Sequence, residues 1–259
     1  MLKITKFRLL FCVAAMLFSS NLITAQSNTP EPKELLKKID HSIENLHAVV
    51  YKMHHKNKFL SRRDTISTIA VCSLYVNGNK MYNIVDEVST ELGASTYGFR
   101  KYDGRKCLWM NWKTDSLDVN NKPDVISKKH KVEAVVENYK SLLLSQYIMQ
   151  KQPFGKYDAM AGNIGIEEKE LNNVPVYVLT FKFKDHEDIR DNVEKHYIRK
   201  SDYLPVAYSS FLRWENMEQY IYYEVEYIAI NPNIAMSQFT IQKNETVNAR
   251  ERYTRMMQQ

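Results

Sequence analysis

Apolar residues recur along this chain with two different periods. Leu35, Leu36, Ile39, Ile43 and Leu46 follow helical spacing, with Lys and Glu between them, which predicts an amphipathic helix of about three turns. From Val49 the period drops to two. Val49, Tyr51, Met53, His55 and Phe59 share one face, and Lys52, His54, Lys56 and Lys58 share the other, as in a half-buried strand with one solvated side. The same alternation predicts strands over 65–76, 80–86, 96–102 and 106–112. Asn77-Gly78 and Asp103-Gly104 supply hairpin turns, because these residues tolerate positive φ.

The stretch 115–131 is polar and reads as irregular. Val132, Val135, Val136, Tyr139, Leu142, Leu143 and Ile148 then form one broad helical stripe, suited to packing across a curved sheet. Strands return over 164–171 and 174–184 around Asn172-Asn173, and here Tyr177, Leu179, Phe181 and Phe183 share a face. Segments 193–199 and 205–212 flank a turn at Lys200-Ser201-Asp202. The last strand, 219–230, turns Ile221, Tyr223, Val225, Tyr227 and Ala229 one way. The order is helix, antiparallel meander, helix, antiparallel meander. It predicts an α+β fold: a single curved antiparallel sheet of about ten strands, with an N-terminal helix and a mid-chain helix covering its concave side. A sheet that wide is expected to curl.

The ends of the chain read differently. Lys3, Lys6 and Arg8 precede an unbroken apolar run from Leu9 to Phe18, and Ala25 offers a small residue for cleavage before Gln26. This predicts a signal peptide over 1–25. The run is about half of the roughly 20 residues that span a bilayer, so no stable membrane anchor is expected. Residues 26–33 read as a tether, 34–242 as the domain and 243–259 as a polar, fraying tail. The expected location is exported, periplasmic or secreted.

Loss of Lys3, Lys6 and Arg8, with no acidic residue, takes the net charge from +6 to +3. That surplus is ordinary surface and predicts no nucleic-acid partner. Glycine is scarce, at 7 residues, which argues against phosphate loops built on glycine. No GxSxG, HExxH or Walker pattern occurs, so the expectation is a non-enzyme with no cofactor and no metal. Adjacent His54 and His55 point to opposite faces and do not chelate one ion together. His55, on the apolar face, is either a core histidine or a polar contact for a ligand. Asp185, His186, Glu187 and Asp188, with Asp191, lack an EF-hand pattern and read as a solvated loop. Asn244-Glu245-Thr246 matches a glycosylation sequon. Cys72 and Cys107 both lie in apolar strand-like runs, where either a disulfide or a pair of buried free thiols is consistent with export.

The aromatic and aliphatic strand faces are the remaining candidates. Tyr51, Met53, His55 and Phe59, then Tyr177, Leu179, Phe181 and Phe183, then Tyr223 and Tyr227, either line a cavity for an apolar ligand or form core beneath the helices.

One element carries a family resemblance. After the strand Val49-Val50-Tyr51-Lys52-Met53, the meander and the helical crossing comes Tyr197-Ile198-Arg199-Lys200-Ser201-Asp202-Tyr203-Leu204-Pro205-Val206: strand, charged turn, Leu-Pro, strand. This resembles the half-open β-barrel of the LolA, LolB and RseB group of periplasmic lipoprotein-binding proteins, and the stretch 220–239 resembles that group's closing strands. The resemblance spans 34–242. It implies a concave apolar cavity under helices, used for lipid or lipoprotein acyl chains or for sensing lipoproteins. The alternative it implies is an envelope sensor or interaction module that docks another protein, with a thioredoxin-like protein as one candidate partner. The chain departs from the carriers on its first strand, which offers Lys52, Lys56 and Lys58 on the outer face where carriers use an arginine near the cavity.

Overall fold

The computed structural model of the chain describes residues 29–117, 124–129, 132, 144, 147, 154 and 163–259. The expected signal peptide and most of the expected mid-chain helix lie outside these residues.

Helix α1 (Pro32–Glu44) starts with proline in its first turn, where the missing N–H is no loss. It buries Leu35, Leu36, Ile39 and Ile43, as their spacing requires. Eleven strands follow among the described residues: β1 (Ala48–Lys58), β2 (Ile66–Asn77), β3 (Lys80–Glu91), β4 (Ala94–Tyr102), β5 (Cys107–Lys113), β6 (Asp124–Ile126), β7 (Gly165–Leu171), β8 (Val174–Lys182), β9 (Ile189–Arg199), β10 (Pro205–Trp214) and β11 (Met217–Ile230). They make one sheet in the order β6-β5-β4-β3-β2-β1-β11-β10-β9-β8-β7. The register is antiparallel throughout. Among the described residues β6 and β7 are the edge strands and do not pair with each other, so the curved sheet does not close into a barrel.

The two meanders meet at β1 and β11, which pair from Val49↔Ile230 to Lys58↔Tyr220. Asn231 seals this seam at the helix end. Its Oδ1 accepts from His47 N at 2.9 Å, and its Nδ2 donates to Asn45 O at 3.0 Å. The hairpin turns are where the residue types place them. Gly78 and Gly104 adopt φ of 60° and 84°, and Asn172 and Asn173 adopt 50° and 64°.

Two layers cover the sheet. On the inner face α1 packs with Val49, Tyr51, Met53, Ala70, Leu74, Val85, Leu179 and Phe181 in the main core. Val132, Leu144 and Tyr147 are helical and join the same core, as does Phe154. The outer face differs from expectation. Residues 243–259 do not form a fraying tail; they contain helix α2 (Ala249–Gln258), capped by Asn248 Oδ1 accepting from Glu251 N at 3.1 Å. Ala249, Met256, Val247 and Ile241 pack on Tyr97, Phe99, Leu108 and Trp112 of β4 and β5 as a second core. Beyond β11, Met236–Phe239 is a 3-10 turn rather than a further strand, and it tucks Phe239 against Tyr75 and Tyr82.

Cys72 and Cys107 are both free and buried, so the possible disulfide is not formed. Cys72 lies on β2 and Cys107 on β5, with β3 and β4 between them. Three strand spacings of about 4.8 Å separate the two thiols by roughly 14 Å, twice the Cα separation a disulfide tolerates.

Candidate functional site

Cross-strand register builds a line of rings across the inner face. His55 pairs with Tyr223, Tyr223 with Tyr208, Tyr208 with His196, and His196 with Leu179. The His55 and Tyr223 rings stack in parallel at 4.2 Å. Tyr208 lies 6.2 Å from Tyr223 and 5.0 Å from His196. His196 also meets Phe181 and Phe154 edge-on, at 5.3 and 5.0 Å. The Tyr147 hydroxyl and His196 Nδ1 are 2.7 Å apart, a buried hydrogen bond.

Burial holds several groups of the inner face uncharged. Burial pushes the His55 imidazole down to about 4, so the ring stacked on Tyr223 is neutral at physiological pH. Asn57 Nδ2 sits 3.2 Å from its Nε2. Burial pushes the Cys72 thiol up to about 12 and the Tyr51 hydroxyl, which faces it, well above the usual phenol range. Neither ionises near neutrality, and a thiol so protonated is a poor nucleophile.

Asn83 stands apart. It occupies β3 between Met81 and Val85 on the inner face, paired across the sheet with Leu74 and Tyr102. It is 0% exposed, and neither Oδ1 nor Nδ2 has a hydrogen-bond partner among the described residues. Buried amides are nearly always paired.

Most of the residues expected from the sequence converge. Tyr51, Met53, Leu179, Phe181 and Tyr223 are buried in the main core, and Tyr177, Phe183 and Tyr227 are half-buried against it. Phe59 does not join them. β1 ends at Lys58, the chain turns with Arg62 N donating to Phe59 O, and the ring is 41% exposed. Sequence reasoning passed over Tyr147, His196, Tyr208 and Asn83. For His196 the signal was its alternation with Ile198; for Tyr208 and Asn83 it lies in pairings across strands.

The acidic loop uses its carboxylates locally. Asp185 Oδ1 accepts from Asp191 N at 3.1 Å, and Asp191 binds Arg213 at 2.8 Å. No cluster of three or more His, Cys, Asp or Glu suited to a metal occurs among the described residues. On the outer face a groove of about 330 Å³ lies among Leu171, Val174, Val206, Tyr227, Arg199 and Glu224. Arg199 is fixed there by Asp202, at 2.9 and 2.5 Å, and lies 4.9 Å from the Tyr227 ring centre.

No known family profile matches the chain, and no curated protein matches it. Solved structures do. LprF from Mycobacterium bovis is similar over 80% of this chain and 96% of its own, at 5% identity and a TM-score of 0.46. A chain of the Pseudomonas aeruginosa MucA/MucB complex is similar over 84% of this chain and 64% of its own, at 10% identity and a TM-score of 0.35. A LolA superfamily protein from Nitrosomonas europaea is similar over 82% and 99%, at 11% identity and a TM-score of 0.27. All three lie at 11% identity or less and at TM-scores of 0.46 or less.

Proposed function

We propose that this chain is an exported binding module that docks a protein partner of the cell envelope through its open surfaces. One observation carries the reading. Four of the residues expected to line a ligand cavity are closed core: Tyr51 and Leu179 are 0% exposed, and Met53 and Phe181 are 1% exposed. The outer face and the two sheet edges are what remain for recognition, and an open antiparallel sheet presents them without rearrangement. No helix among the described residues is long and apolar enough to cross a membrane.

A second reading keeps an apolar ligand, such as lipid or lipoprotein acyl chains, under α1. The unpaired Asn83 amide within the apolar inner layer favours it, since a plain core seldom holds such a group.

The test combines two measurements. A photo-crosslinking residue is placed in turn at exposed positions of the outer face and edges, in cells of the source organism, and the mature protein is weighed intact after detergent-free purification. One discrete adduct confined to one face, with a clean protein mass, is the expected result. Excess mass that organic solvent extracts as lipid, with no adduct from any exposed position, transfers the function to the inner face.

A further inference from the structure

We infer that the outer face of the sheet between β1 and β8 is the docking surface, and that it receives an acidic protein segment. The inference rests on the docking reading above and adds the place and the chemistry.

The register sets the residues of this face in transverse rows. One row runs Lys58, Tyr220, Phe211, Val193, Lys182. The next runs Lys56, Tyr222, Ser209, Lys195, Thr180. Together they carry four lysines and no carboxylate. In the following rows carboxylates appear, since Glu224 faces His54 and Glu226 faces Lys52. The basic surplus is therefore local and does not follow from the modest net charge of the chain. Lys56, Lys58 and Lys182 form no ion pair among the described residues, and Lys195 has Glu167 within electrostatic reach.

Between the lysines stands a tyrosine platform. The Tyr220 and Tyr222 rings are parallel within 5° at 6.5 Å, and Tyr220 is 38% exposed. Burial raises both hydroxyls above the usual phenol range, with Glu224 adding to the shift of Tyr222 and the nearby Tyr197 adding to both. Tyrosine adds large contact area with few torsions to freeze, which suits protein recognition. Ammonium groups around it select carboxylates.

The relief favours a segment of chain over a flat bilayer. On one side α2 rises over β4 and β5. On the other, the β7–β8 turn arches back over the face, since Asn172 Nδ2 donates to Glu224 Oε1 three strands away. The floor between spans five strands, about 20 Å, which fits roughly six extended residues.

The test uses the mature protein and a fluorescent peptide of alternating glutamate and leucine, with an alternating lysine and leucine peptide and anionic phosphatidylglycerol vesicles as comparisons. The expected result is binding of the acidic peptide that weakens at least tenfold between 20 and 200 mM salt. The Lys56→Glu/Lys195→Glu variant should lose binding at least tenfold, and Lys33→Glu/Lys37→Glu on α1 should not. Equal binding of both peptides, vesicle binding without peptide binding, or undiminished binding by the outer-face variant overturns the inference. If crosslinks trap a partner from another face, the docking reading stands and this surface is rejected. If no exposed position crosslinks, the docking reading itself fails.

Discussion

Arg252 lays its guanidinium across both oxygens of Asp86, at 2.9 and 2.7 Å, with Phe99 beneath it at 4.0 Å. The pair joins α2 to β3 across 166 residues of chain. Asp86 also accepts from the Tyr97 hydroxyl at 2.6 Å, so one carboxylate organises both the helix and the aromatic layer beneath it. Both side chains are mostly shielded, and removing one leaves the other without its charge partner. Arg252→Met is expected to destabilise the protein by about 2 kcal/mol, below the range for fully buried pairs because some solvent reaches both groups. Urea denaturation of the single and double Arg252→Met/Asp86→Asn variants measures it. Additive losses would show that the two groups act separately.

His55 makes stability depend on pH. Its imidazole is pushed down to about 4 in the fold and titrates near 6.5 when unfolded. Between those values the unfolded chain binds the extra proton, so stability rises with pH across this window and is lost as pH falls through it. The loss is complete below pH 4, where it amounts to about 3 kcal/mol. His55→Phe keeps a ring on Tyr223 and removes the proton. Its stability is expected to be flatter than that of the parent between pH 7 and 4, as read by denaturant midpoints. Parallel curves would exclude His55 as the source.

Asn83 gives a prediction with an unusual sign. Its buried amide lost its water on folding and gained no partner among the described residues. An unsatisfied buried group costs about 1–3 kcal/mol. Asn83→Leu, which keeps the branched heavy-atom outline and is apolar like its neighbours Met81 and Val85, is expected to raise stability by up to that amount. The thermal midpoint of the apo protein reports it. A loss of stability instead would mean that the amide is satisfied in solution.

The strands were legible because a half-buried strand writes its two faces into adjacent residues. The alternation from Val49 to Met53 and from Tyr177 to Phe181 becomes inner-face core, and Asn-Gly, Asp-Gly and Asn-Asn mark real turns. Helix α2 was obscured because only Ala249 and Met256 are buried in a helix that otherwise carries Arg250, Glu251, Arg252, Thr254, Arg255 and Gln258. Its partners, Tyr97 and Trp112, lie more than a hundred residues earlier. The line from His55 to His196 was hidden for a related reason. It follows from the register of β1, β11, β10 and β9, which local pattern does not specify. Phe59 shows the converse, a residue with the right parity one step past the end of its strand.

The two thiols give a direct check on this register. Cys72 and Cys107 are fully buried, and burial pushes each up to about 12. Only the thiolate reacts at an appreciable rate, so a native thiol at pH 8 is protected both by its protonation and by the side chains around it. A chain of residues 26–259, which lacks Cys12, is expected to react only slowly with an aromatic disulfide reagent when folded. Two equivalents should react once it is unfolded in guanidinium without reductant. The unfolded count decides the question, because a disulfide would give none. The folded rate then measures opening of the sheet, and because Cys72 sits on a central strand and Cys107 on β5 beside the short edge strand, Cys107 should react first. Faster labelling of Cys72, resolved by peptide mass, would place the weak point of the fold at the β1–β2 centre rather than at its β6 edge.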